Sequence, residues 1–136
     1  MTEKKSMTDE QKQAWIREQY LKATKYLADK GLVTASVSDT ESRYLVPIMA
    51  VWKINLLDKT SVWVISGDLP TDHIALNSGE PARDVVRHFS LKWQLQAENL
   101  LRLEDKAQHQ FAQLLIGRAD GLYKIYEKAE LWQETS

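Results

Sequence analysis

Ile16, Tyr20, Ala23 and Leu27, with Trp15 beside them, recur at steps of three and four and so place one apolar stripe along a helix. Thr8 is followed three residues later by Gln11, a pair that satisfies free backbone amides reciprocally, and Gly31 offers a left-handed stop. A first helix is predicted over residues 9–30. The stretch from Thr34 to Thr40 is rich in small hydroxyl residues, whose side chains compete with regular backbone hydrogen bonding, and it reads as a loop.

The rhythm then changes. From Arg43 to Ile54 the chain is crowded with β-branched and aromatic residues, Asp58 and Lys59 interrupt it, and Ser61 to Ile65 resumes it, which predicts an antiparallel hairpin. Pro47 donates no ladder hydrogen bond, so its strand is either an edge or pairs only beyond that point. After Gly67, Asp68, Leu69 and Pro70, the segment His73 to Leu76 offers a third short strand.

Ser78, Gly79, Glu80 and Pro81 open a second helical region, with Pro81 in the first turn, where its missing amide hydrogen does no harm. Ala82, Val85, Phe89, Trp93, Ala97 and Leu100 share one face, and Phe111, Leu115, Leu122, Ile125, Ala129 and Trp132 continue the pattern. One helix from Pro81 to Trp132 would run about 75 Å, too long for so short a chain, so a turn is expected near Glu104, Asp105 and Lys106. The fold class is α+β: an N-terminal helix, an antiparallel hairpin or three-stranded meander, then two long C-terminal helices.

At 136 residues the chain is expected to form a single domain over residues 9–132, with a disordered tail at 1–8 and a polar tail at 133–136. A net charge of -1 supplies no field for gathering polyanions, and basic residues alternate with acidic ones, so no nucleic-acid partner is expected. The absence of cysteine removes disulfides, thiolate metal sites and cysteine nucleophiles. The polar start predicts no export, and the longest apolar run, Tyr44 to Trp52, falls far below the roughly 20 residues of a membrane span. A cytoplasmic protein with no membrane partner is the expectation. No Gly-rich phosphate loop, nucleophile elbow or His-Glu-x-x-His motif is present, and no cofactor is expected.

Asp68, Asp72 and His73 bring two carboxylates and an imidazole to one turn, groups that coordinate divalent metals or exchange protons, with His88 or Glu98 as a further ligand. The same carboxylates suit turn backbone, with Gly67 and Pro70 setting its geometry. Arg83 and Arg87, one turn apart near a helix N-terminus, suit an ion-pair face with Glu80 and Asp84, or a site for a small anionic ligand. His88, beside Phe89, suits a packed imidazole or a ligand contact. Together these six residues (Asp68, Asp72, His73, Arg83, Arg87 and His88) define a candidate pocket between the Gly67–His73 turn and the start of the next helix.

The segment Trp63 to His73 (WVISGDLPTDH), with Ser42 to Leu45 upstream and Val86 to Gln94 (VRHFSLKWQ) downstream, resembles a family of uncharacterised gammaproteobacterial proteins grouped as a domain of unknown function. The resemblance covers nearly the whole chain. It implies a bacterial cytoplasmic setting and brings no established activity, cofactor or catalytic residue.

Five tryptophans, Trp15, Trp52, Trp63, Trp93 and Trp132, suit a core or an interface, and Trp132 near the C-terminus suits a partner contact or a clasp over the domain. Gly117 and Gly121 have the spacing of a close helix approach or a local bend. Two functions follow. One is a non-enzymatic binding or assembly module whose C-terminal helices carry a homodimer or protein interface through Phe111, Leu115, Leu122, Ile125 and Trp132. The other is a sensor of small anionic ligands, or a metal-assisted enzyme, built on the candidate pocket.

Overall fold

Thr8 Oγ1 accepts the Gln11 amide at 3.1 Å and the Gln11 side chain accepts the Thr8 amide at 2.9 Å, closing the N-terminus of α1 (Asp9–Asp29) in the computed structural model, which describes residues 7–75 and 79–133. Gly31, at φ 80°, ends the helix in the left-handed region. Leu76, assigned above to a third strand, and Ser78, assigned to a helix start, lie outside the described residues, as do residues 1–6 and 134–136 of the expected tails.

Four strands follow: β1 (Thr34–Leu45), β2 (Met49–Leu56), β3 (Ser61–Gly67) and β4 (Asp72–Ile74), in an antiparallel meander of order β1-β2-β3-β4. The α+β class and the third short strand are present, and one strand is added. Thr34 to Thr40 is not a loop but the first half of β1. An edge strand turns much of its length to solvent, so its polar hydroxyl residues cost little there. Arg43 to Ile54, read as one strand, is two, because Pro47 sits in the turn between β1 and β2 and pairing resumes at Met49.

β1 is heavily bulged. Ser38 pairs with Lys53 and Arg43 with Val51, so four residues, 39–42, stand opposite Trp52 alone. Ser42 repairs the ladder: its hydroxyl donates to Ser38 O at 2.7 Å and accepts the Lys53 amide at 2.9 Å. Alternate residues of β2 and β3, Ala50, Trp52, Ile54, Leu56, Val62 and Val64, pack with Ala23 and Leu27 of α1 as a buried core.

α2 (Ala82–Leu101) and α3 (Lys106–Glu127) form an antiparallel hairpin, broken where the length argument requires, and a short 3-10 turn (Ala129–Trp132) follows where the helical pattern was expected to continue. Ser90 Oγ donates to Ala119 O at 2.7 Å and fixes which faces meet. Asp105 caps α3 by accepting the amides of Ala107 (2.9 Å) and Gln108 (3.4 Å). Asp105→Ala is expected to cost about 1 kcal/mol in urea unfolding, the usual loss for an N-cap carboxylate. A Cβ added to Gly117 or Gly121 would meet open space, so their spacing is not a close-packing device. The chain divides into two compact units, Met1–Ser78 with α1 and the sheet, and Gly79–Ser136 with the helical hairpin.

Candidate functional site

The meander sets Asp72 and His73 on β4, opposite Ile65 and Val64 of β3, and turns both toward Tyr26 of α1. The Tyr26 hydroxyl donates to Asp72 Oδ1 at 3.3 Å and lies 2.8 Å from His73 Nδ1, while the same carboxylate oxygen accepts the His73 amide at 2.8 Å. Burial, and then the neighbouring Asp72 charge, push the Tyr26 phenol up to about 12, so it stays protonated and serves as a donor. Asp72 thus hydrogen-bonds adjacent backbone, as its turn suggested, and the cluster also ties β4 to α1. Asp68 is exposed, and its amide donates to Ile48 O at 3.0 Å. Among the described residues no three His, Asp or Glu side chains gather as a metal ion would need.

Arg83, Arg87 and His88 belong to the other unit. Arg83 Nε donates to Tyr126 O at 2.8 Å, and its guanidinium lies 5.3 Å from the Tyr126 ring centroid. It therefore closes the last turn of α3, where carbonyls lack helical partners. Arg87 is exposed, and His88 Nε2 lies 2.6 Å from Glu80 Oε2, so Glu80 meets His88 rather than Arg83.

The expected interface residues separate. Leu115 and Leu122 are buried, whereas Phe111 is exposed and Ile125 and Trp132 are half-buried. Trp132 Nε1 donates to Ile125 O at 3.0 Å, which folds the end of the hairpin back on α3. The exposed apolar side chains of the hairpin are others: Leu91, Leu95, Leu101, Leu103, Leu114, Ile116 and Tyr123 join Phe111.

One concave feature escaped the sequence reading. A groove of about 340 Å³ runs between α1 and the bulged part of the sheet, lined by Ile16, Tyr20, Leu21, Val37, Tyr44 and Trp52, with Arg17 and Asp39 as its charged members. The Tyr20 and Trp52 ring centroids lie 5.5 Å apart at 57°, and those of Tyr44 and Trp52 4.8 Å apart at 45°. Trp52 is pinned because its Nε1 donates to buried Ser66 Oγ at 3.0 Å. Tyr44 donates to Asp39 Oδ1 at 3.3 Å, and burial followed by the Asp39 charge pushes its phenol up to about 12.

These observations define an α+β protein with a meander that carries an aromatic groove and a helical hairpin that exposes apolar side chains. The chain belongs to a family defined only as a domain of unknown function, DUF4826, which matches residues 9–132. No curated protein and no solved structure matches it. Among the described residues, no helix is long and apolar enough to cross a membrane.

Proposed function

We propose that this protein is a non-enzymatic assembly module of the bacterial cytoplasm, and that its helical hairpin meets a second copy of the same chain. The observation that carries this reading is the distribution of exposed apolar side chains. Of the twelve large ones among the described residues, eight lie on α2, α3 or the turn between them. With Ser90 set against Ala119, the 100° helical step carries Leu91 and Leu95 of α2 and Ile116 and Tyr123 of α3 to the same flank of the hairpin. Leu115 and Leu122 serve the assembly indirectly, by holding that flank together.

Size and charge agree with a symmetric pair. A helical hairpin about 30 Å long and two helices wide offers about 600 Å², close to the roughly 800 Å² each partner contributes in a standard interface. The net charge of -1 leaves two copies with little mutual repulsion, and Glu98, Arg102, Asp120 and Lys124 supply both signs for a polar rim.

Leu95→Glu combined with Ile116→Glu is expected to weaken self-association about 100-fold or more, because each places a carboxylate against apolar surface in both copies. Sedimentation velocity on parent and variant checks this, with circular dichroism to verify that exposed substitutions leave the helices intact. A variant that associates as tightly as the parent contradicts the assignment of this flank.

A further inference from the structure

We infer that the groove between α1 and the bulged half of β1 is a site for a small betaine-class zwitterion, a trimethylammonium group joined to a carboxylate. Three aromatic rings converge there: Trp52, with Tyr20 and Tyr44 tilted against it at centroid separations of 5.5 Å and 4.8 Å. Aromatic faces carry negative potential and attract cations, quaternary ammonium above all. Trp52 is buried and forms the floor of the groove, its indole N–H already taken by Ser66. Tyr20 and Tyr44, half-buried against it, supply the ring surface a ligand can reach. Asp39 adds a full negative charge to the same lining.

The lining also selects among cations. A primary ammonium entering this groove would give up three hydrogen bonds to water and regain only those that Asp39 can accept at an otherwise apolar wall. A quaternary ammonium has no N–H to lose, and its methyl surface suits apolar contacts. A ligand carrying only negative charge would meet Asp39 and the ring surfaces of Tyr20 and Tyr44. The volume, about 340 Å³, lies at the small end of the range for ligand pockets.

Arg17 accounts for the other end of the ligand. It is exposed, lines the same groove and has no ion pair among the described residues. Its guanidinium is suited to bind a carboxylate through paired N–H donors. The bulge makes this arrangement: with residues 39–42 displaced opposite Trp52, Asp39 and Tyr44 come to the same groove as Tyr20 of α1.

The test titrates the full chain with trimethylglycine, with its neutral-carbon isostere tert-butylacetate and with tetramethylammonium, following the Trp52 indole N–H by nuclear magnetic resonance. Trimethylglycine is expected to shift that signal saturably and to bind about tenfold more tightly than tert-butylacetate, which has the same shape without the positive charge. Asp39→Asn is expected to weaken trimethylglycine and tetramethylammonium alike by about fivefold, while Arg17→Ala weakens only trimethylglycine. Both substitutions lie at exposed positions, so the fold survives them. Absence of a saturable shift, tighter binding of tert-butylacetate, or an Asp39→Asn chain that binds like the parent overturns the inference.

Discussion

Gly67→Ala is expected to cost about 3 kcal/mol or more and to leave the sheet unit largely unfolded in mild urea. Gly67 closes β3 opposite Met49 with φ at 135°, a backbone conformation that residues with a Cβ rarely adopt. A Cβ built there falls 2.5 Å from Ile48 O and 2.6 Å from Met49 Cα. Both are backbone atoms, one in the turn that leads into β2 and one in its first residue, so no side-chain rotation relieves the clash. The hydrogen bond from the Asp68 amide to Ile48 O, at 3.0 Å, holds the same two segments together and would be lost as they part. Gly31→Ala is the control: at φ 80° with open space around it, it is expected to cost only about 1 kcal/mol. Equal stability of the Gly67→Ala chain and the parent would show that the approach of β2 and β3 at this point is wrong.

Trp52→Ala is expected to have a comparable effect, about 3–5 kcal/mol, the usual range for deleting a buried aromatic side chain. Trp52 is 2% exposed and packs beside Leu27, Ile54 and Val64, with Tyr20 and Tyr44 against its ring. Its removal also strips the fully buried Ser66 hydroxyl of the indole N–H it accepts. Trp52→Phe separates the two contributions. It keeps most of the ring volume and loses the hydrogen bond, so a cost of about 1–2 kcal/mol is expected. Urea midpoints and slopes for the three chains measure both quantities.

The sequence spoke most clearly where one local rule sufficed. Thr8 and Gln11 announced the start of α1, Gly31 its end, and chain length alone required the break that Asp105 caps. Pro47 marked a discontinuity in strand pairing, although its place in a turn was not apparent. The polar half of β1 reads as a loop because an edge strand needs only part of its surface apolar, which leaves too weak an alternation to separate from hydroxyl-rich coil.

Legibility failed where residues far apart in sequence meet. Arg83 suits an ion pair or an anion contact from its position near a helix N-terminus, and nothing in local spacing joins its Nε to the carbonyl of Tyr126, 43 residues away. Tyr26 falls within the predicted first helix, but nothing in local spacing joins it to His73. The groove depends on a register shift between Ser38 and Arg43, and bulges leave no periodic signature. Ser42, in a segment that resembles the family, was the available clue, since a small buried hydroxyl amid strand residues suits an interrupted ladder.

The central claim is that the flank bearing Leu91, Leu95, Ile116 and Tyr123 joins two copies of the chain. Sedimentation equilibrium of the parent protein across a dilution series tests it without any substitution. The account predicts a reversible rise from the 15.7 kDa of one chain to twice that mass, with a midpoint at about micromolar concentration. A mass that stays at one chain up to about 1 mM contradicts it.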